Sequence, residues 1–520
     1  MNLAAQQAPE RSIMLLHLDS VTYTYPGTAN PAVSDITAVF PSGWTGVVGD
    51  NGSGKTTLAR IACGELKPDS GFVHPALSCT YCRQETDEAP ADLFDFACSY
   101  DRTALHARRM LDIDDAWAWC YPELSGGQRR RLQIACALWR RPDILVLDEP
   151  TNDIDSETRE ALESALHAFS QTGGVGILIS HDRALLDALC SQCLFLSAGH
   201  ATMRQGSYSQ GALQARRERD TAASQQAKAR HEVERISREA QRRRQQAAQS
   251  AAKRSKKNLD PRDHDARTKI DLAVYTGKDG VAGRLSSRME TRLAKAEKAL
   301  ARIQVEKRYE SRIWADACVS KRACLAKLPA QTIIRGTLRL SIPDISISPT
   351  DHIVLTGRNG SGKSTLLRSI LSEIRNDTPL LSIPQEPTEA QRAHALSRLE
   401  KLDRSQRGKV LSVVARLNSK PESFLGASPV SPGEMRKLML ALATLESPSL
   451  MVLDEPANHL DMDSIAALQG MIADFPGAVL MVTHDRRMAE EIATLRWRII
   501  PVESEQDCPE GQRAFTLRID

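Results

Sequence analysis

Residues 49–56 read GDNGSGKT, and residues 357–364 read GRNGSGKS. The first follows the apolar run TGVVG and the second follows HIVLT. Both match G-x-x-x-x-G-K-[ST], the pattern of a strand that passes through a glycine-rich loop into a helix. Glycines at these positions let successive backbone N–H groups converge on phosphate oxygens. Lys55 and Lys363 add a point charge near the β- and γ-phosphates, while the hydroxyls of Thr56 and Ser364 suit Mg²⁺. The candidate nucleotide contacts in the first copy are Gly49, Asp50, Asn51, Gly52, Ser53, Gly54, Lys55, Thr56 and Thr57. In the second they are Gly357, Arg358, Asn359, Gly360, Ser361, Gly362, Lys363, Ser364 and Thr365.

Further landmarks repeat in the same order. ILVLDE (144–149) and LMVLDE (450–455) read as buried strands ending in two carboxylates. Asp148 and Asp454 suit a Mg²⁺ shell, and Glu149 and Glu455 suit the polarisation of an attacking water. LISHD and MVTHD place His181 and His484 after apolar strands. The copies are separated by 308 residues at the lysines, 306 at the aspartates and 303 at the histidines. That register makes the chain an internal duplication, and strands alternating with helices make it α/β.

LSGGQ (124–128) precedes QRRRLQIACAL, and VSPGE (430–434) precedes MRKLMLALATL. With the loops above, these resemble the defining motifs of ABC ATPases. The resemblance implies two cassettes closed head to tail as an intramolecular pair within a monomer. ATP and Mg²⁺ would lie between the phosphate loop of one cassette and the signature of the other. It implies signature contacts from Ser125, Gly126, Gly127 and Gln128, and from Ser431, Gly433 and Glu434. Gln84 and Gln385 resemble the Q-loop glutamines, which join Thr56, Asp148, Ser364 and Asp454 at the metal. NDID (152–155) and NHLD (458–461) resemble D-loops. Catalysis would fall to Glu149, Glu455, His181, His484 and the two glutamines. Tyr25 is placed to stack on adenine in the first cassette. No aromatic residue lies between Ala315 and Thr356 to do so in the second, and Pro432 replaces a signature glycine. Two competent but unequal ATP sites are expected.

Composition bounds the alternatives. A chain of 520 residues allows about two to four domains. No run of about 18 apolar residues occurs, and MNLAAQQAPERS does not read as a secretory signal. Eleven scattered cysteines fit reduced thiols in a cytoplasmic protein. The CxxC spacings at Cys79/Cys82 and Cys190/Cys193 read as buried thiols, since positions i and i+3 of a strand face opposite ways.

The middle of the chain is different. Residues 211–320 hold 27 Lys+Arg against 15 Asp+Glu, a net of +12 in a chain whose total is +3. Small or apolar residues recur at Ala229, Val233, Ile236, Ala240, Ala247 and Ala251. A second seam runs through Leu285, Met289, Leu293, Ala296, Leu300 and Ile303. Two antiparallel helices packed along these seams are expected, the first of about 45 residues. The domains would be 1–210 and 327–520, joined by a basic hairpin over 211–326 with its tip at about 258–284. VYTGKDGVAGR (274–284) turns the chain into the second arm, and Asp260-Pro261 with Asp263 reads as the start of a short helix.

A basic hairpin between whole cassettes resembles the ABC-F family of translation factors. That resemblance implies a ribosomal partner: the E site, with the hairpin pointing at the 23S rRNA of the peptidyl-transferase centre and at P-site tRNA. Arg262, His264, Arg267, Lys269, Tyr275 and Lys278 at the tip are candidate RNA contacts. Only 40 residues separate Gln84 from Ser125, too few for the extra arm of housekeeping members. The long hairpin and missing arm resemble the antibiotic-resistance, ribosome-protection branch. The alternatives are a housekeeping member or the ATPase subunit of a transporter. A transporter subunit would account for the cassettes and not for the basic hairpin.

Overall fold

The computed structural model describes residues 14–151, 154–197, 200–253, 268, 272, 280–302, 319–375, 377–419, 421–424, 430–458, 460–502 and 513–520. The chain divides into two compact units, Met1–Gly211 with Tyr309–Asp520, and Ala212–Arg308. The first unit therefore contains both cassettes.

The apolar runs read from the sequence become the central strands of parallel sheets. In the first cassette the strand order is Cys79–Cys82, Ile144–Asp148, Val175–Ile179, Gly43–Gly49, Cys190–Ser197, His200–Gln205. All neighbours are parallel except the last pair. Ile144–Asp148 and Val175–Ile179 are buried at every position, as strands covered on both faces must be. Leu145 and Leu147 face one core, with Trp44 and the helix Gly126–Trp139. Ile144 and Val146 face the other, with helix Lys55–Ala62 and an antiparallel sheet of Val33–Pro41, Leu15–Tyr23 and Ser70–His74.

The second cassette repeats the plan. Leu380–Ile383, Leu450–Asp454, Ala478–Val482, His352–Gly357 and Leu495–Pro501 run parallel. Arg513–Ile519, Leu338–Ile342 and Gln331–Arg335 extend the sheet to eight strands. In both sheets the phosphate-loop strand is separated from the Asp-Glu strand by the strand that leads to the histidine. The phosphate loops, the Asp-Glu pairs, the two Q-loop glutamines and the histidines thus emerge at the carboxyl ends of parallel strands, where α/β sheets bind ligands.

The second unit is built on two helices. Tyr208–Lys253 spans 46 residues, close to the length expected, and Gly280–Ala301 spans 22. Ile236 and Ala240 are buried in the seam, and Val233, Leu285, Met289 and Leu293 are half-buried. Arg244 bonds Glu290 at 2.7 Å and Arg292 reaches Glu232 at 3.7 Å across the pair. The tip candidates Arg262, His264, Arg267, Lys269, Tyr275 and Lys278 lie outside the described residues, as does the Asp260–Asp263 turn.

One expectation is corrected. Cys63, at the end of helix Lys55–Ala62, is disulfide-bonded to Cys79, at the start of its strand, with Cα atoms 5.3 Å apart. The two are 16 residues apart in sequence, and only the turn back into the sheet brings them together. Among the described residues Cys82, Cys98, Cys120, Cys136, Cys190, Cys193 and Cys324 are free thiols.

Candidate active site

Each phosphate loop closes on its own lysine. Lys55 Nζ donates to the carbonyls of Gly49 and Asp50 at 2.7 and 2.9 Å. Lys363 Nζ donates to Gly357 and Arg358 at 2.8 and 3.1 Å. The helices behind them start at Gly54 and Gly362 without a side-chain cap, which leaves their first N–H groups to a ligand. Thr56 Oγ1 donates to Asp148 Oδ2 at 2.9 Å, and Ser364 Oγ to Asp454 Oδ2 at 3.2 Å. These hard oxygens fit Mg²⁺, which takes a few protein oxygens and relies on phosphates for others.

Glu149 and Glu455 are the most constrained residues of the site. Both are buried and hold left-handed backbone, φ 48° and 47°, where side-chain-bearing residues are strained. Each N–H is tied to the neighbouring strand, Glu149 to Ile179 at 2.8 Å and Glu455 to Val482 at 2.9 Å. One carboxylate oxygen of each accepts from the histidine backbone: His181 N at 3.1 Å, His484 N at 3.3 Å. The other, Oε1, is buried without a hydrogen-bond partner, and the imidazole Nε2 stands 3.3 or 3.4 Å from it. Burial pushes both carboxyls up to about 8. It also pulls His181 down to about 3 and His484 to about 4, so both imidazoles are neutral near pH 7.

The cassettes complete each other. A cavity of about 610 Å³ is lined by Tyr25, Lys55, Gln84 and Glu149 of the first cassette and by Asn458 and Leu460 of the second. A second, of about 400 Å³, joins Lys363, Gln385 and Glu455 to Thr151 and Ile154. Asp155 caps helix Ser156–Ser170 and accepts the Asn359 N–H of the opposite phosphate loop at 3.2 Å. Asp461 caps Met462–Ala473, and Asn418 bridges it to Asp50 of the first loop, 3.2 Å to each. Burial lowers the Lys55 and Lys363 pKa values, while Asp461 and Asp155 across the interface oppose that shift. Arg183 reaches the Met462 carbonyl at 3.2 Å, and Arg486 reaches Glu160 at 2.6 Å.

The signature residues Ser125, Gly126, Gly127 and Gln128, like Ser431, Gly433 and Glu434, line neither cavity. Both serines are helix N-caps in reciprocal capping boxes with identical backbone, φ −65° and ψ 157°. Pro432 occupies the first helical position, where its missing N–H would have no partner in the helix and its ring fits. The proline is therefore accommodated without distortion. Where the second cassette has no aromatic, Leu338 lines the cavity.

Several contributors carry no motif. Tyr81 OH donates to Asp148 Oδ2 at 2.8 Å, and its counterpart by register is Ser382, an exposed residue. Buried Arg130 and Arg436, in the helices after the signatures, donate to the carbonyls of Gln84 and Gln385. An arginine at one register on the apolar face of both helices is the signal that would have found them.

The ABC transporter family model matches residues 37–152 and 340–458, one match in each cassette. Among the described residues no helix is long and apolar enough to cross a membrane. The chain is an ATPase with two ABC cassettes in tandem, and its relatives include ABC-F proteins. The ATP-binding protein Uup of Caulobacter vibrioides is 29% identical to this ATPase, over 86% of this chain and 71% of its own length. The energy-dependent translational throttle protein EttA of Escherichia coli is 26% identical over 88% of this chain and 86% of its own. The tylosin resistance ATP-binding protein TlrC of Streptomyces fradiae is 27% identical over 87% and 91%. The fold is that of the solved RNase-L inhibitor, with a TM-score of 0.60 at 17% identity over 96% of this chain and 90% of that one.

Proposed function

We propose that this ATPase binds the ribosomal E site in its ATP-closed form and protects the ribosome from antibiotics acting at the peptidyl-transferase centre or exit tunnel. The observation that carries the reading is the long helical pair between two complete cassettes, in a sequence segment of net charge +12. A basic surface of that size suits RNA. The likeness to a translational throttle protein and to a tylosin resistance protein supports the same reading. Domain boundaries at 1–210, 211–326 and 327–520, and a cytoplasmic location, belong to this proposal.

In this reading Thr56, Gln84 and Asp148 hold Mg²⁺ at the first site, and Ser364, Gln385 and Asp454 at the second. The ion neutralises phosphate charge. Glu149 and Glu455 take the proton of the attacking water at Oε1, the oxygen left without a partner. His181 and His484 hold the opposite edge of each carboxylate.

Sedimentation with ribosomes tests the assignment. The chain trapped with ATP by Glu149→Gln and Glu455→Gln is expected to pellet with ribosomes and not with membranes. A membrane pellet would favour the transporter alternative. Replacing residues 262–280 with a short Gly/Ser turn should keep ATPase activity and abolish protection of translation challenged with drugs of the peptidyl-transferase centre. Full protection by the shortened chain would reduce the hairpin to a spacer.

Tyr81 gives a sharper test of the metal assignment. A hydrogen bond to a charged group is worth about 1.5–3 kcal/mol, part of which orients Asp148. Tyr81→Phe is expected to raise the Mg²⁺ needed for half-maximal ATP binding at the first site about three- to tenfold. The second site, with Ser382, should not respond. An equal shift at both sites would remove Tyr81 from the metal's surroundings.

A further inference from the structure

Between the Q-loop and the signature helix, the two cassettes carry equivalent segments, residues 85–123 and 386–424. Their surfaces are opposites. In 85–123 nine Asp and Glu side chains are exposed (Glu85, Asp87, Glu88, Asp95, Asp101, Asp112, Asp114, Asp115 and Glu123) against two exposed cations, Arg102 and Arg109. Among the described residues of 386–424 the exposed balance is five acids to four bases. Apolar exposure follows the same division. Trp119 is 65% exposed, Phe94 57%, Tyr100 70% and Leu105 42%, whereas no large apolar side chain is exposed in the described part of 386–424.

Contacts tie several of these side chains together in two groups. Phe94 and Trp119 touch, with ring centroids 5.5 Å apart. Arg108 lies over the ring of Tyr100 at 5.3 Å and pairs with Asp115 at 3.4 Å, four residues before Trp119. Arg108 itself is buried and donates to the Phe96 and Ala97 carbonyls, so the platform is fixed from below. Arginines offset only part of this charge. Arg129 and Arg131 of the following helix pair with Asp87 and Asp112, and Arg108 with Asp115, which leaves Glu85, Glu88, Asp95, Asp101, Asp114 and Glu123 of the nine. Aromatic residues are scarce here, 4% of the chain. Among the described residues five Phe, Tyr or Trp side chains are exposed, and three of them fall within residues 94–119.

We propose that this acidic, aromatic face of the first cassette docks a basic protein segment. Exposed Trp, Tyr and Phe with a polar rim is the composition of a protein interface centre. The carboxylate rim selects the partner's sign. It attracts lysine and arginine and repels phosphate, so a protein fits where a nucleic acid does not. The inference rests on the ribosome reading above and adds which chemistry of the particle this face meets.

Site-specific photocrosslinking tests it. Trp119→benzoylphenylalanine is placed in the chain trapped by Glu149→Gln and Glu455→Gln, with Ile334→benzoylphenylalanine as an exposed control on the second cassette. Ribosomes are the probe. The expected result is a crosslink from position 119 to a basic ribosomal protein, absent from position 334 and weakened several-fold by Asp95→Lys. Phe94→Ala with Trp119→Ala should also weaken ribosome binding about tenfold, with the ATPase of the free protein unchanged. A crosslink to RNA, or none above the control in a chain that still sediments with ribosomes, overturns the docking face alone. Failure to sediment at all overturns the ribosome reading and the proposal with it.

Discussion

Replacing Glu149 and Glu455 together by glutamine is expected to lower ATP turnover by about 10²–10⁴-fold, the range for losing a positioned general base, with ATP binding preserved. Neither carboxylate is hydrogen-bonded to the phosphate-loop lysine; each is held by a histidine N–H on one oxygen and carries no hydrogen bond on the other. Glutamine fills the same volume and keeps an acceptor for that N–H, so the pocket survives. The proton acceptor is what disappears. The pH profile provides an independent check. Burial is the largest cause of the upward shift, and it raises both carboxyls to about 8. The folded protein then binds more protons than the unfolded chain between the ordinary carboxylate range and pH 8. These two groups therefore lose stabilising effect as pH rises through that window, while the fraction of active base grows. In the free enzyme kcat/KM should climb with pH up to about 8 and then flatten. The residual rate of the double variant should lack that limb. A double variant that turns over normally would show that the water is activated elsewhere.

The strand-loop-helix units were legible because their chemistry is local: a phosphate loop needs its glycines and lysine within eight positions. The Asp-Glu pairs were legible because an uninterrupted apolar run such as ILVL, too short for a helix and repeated in register in both copies, reads as a strand covered on both faces. The helical pair was legible from two seams whose central residues, Ile236 and Ala240, are the ones buried. What escaped depends on register between distant strands. Tyr81 meets Asp148 only because strand Cys79–Cys82 pairs in parallel with Ile144–Asp148, placing Tyr81 beside Val146. Asn418 reaches Asp50 across 368 positions and no local pattern announces it. The Cys63–Cys79 bond is hidden the same way, since cysteine usage across the chain points to reduced thiols and only the fold sets this pair together. Pro432 was legible as a departure but not in its consequence. Lost donors matter inside a helix, and this proline stands at the start of one.

The second large effect separates the two ATP sites by sterics. Gly54 and Gly362 both sit at left-handed φ, +95° and +98°, immediately before the phosphate-loop lysines. Alanine at either position costs about 1–2 kcal/mol of backbone strain. The surroundings then differ. A Cβ on Gly54 would stand 2.4 Å from the Ala32 carbonyl oxygen. That backbone is not free to retreat, because Ala32 leads directly into strand Val33–Pro41 and its N–H is bonded to Tyr23 O at 2.9 Å. The phosphate loop must move instead, and its converging N–H groups move with it. A Cβ on Gly362 would meet only Leu338 Cδ2 at 2.8 Å and Leu340 Cδ2 at 3.4 Å, methyl groups at the ends of side chains that can rotate. Gly54→Ala is therefore expected to weaken ATP binding at the first site by about 100-fold or more, and Gly362→Ala at the second by about tenfold, at 1.4 kcal/mol per decade. A fluorescent ATP analogue measures each site with the other silenced by Lys363→Ala or Lys55→Ala. Gly52→Ala, left-handed at +77° with open space around its Cβ, reports the backbone strain alone. Thermal melting of each variant separates a displaced loop from a cassette that fails to fold. Equal losses at Gly54 and Gly362 would mean that the Ala32 carbonyl yields, and that the two loops differ in sequence without differing in rigidity.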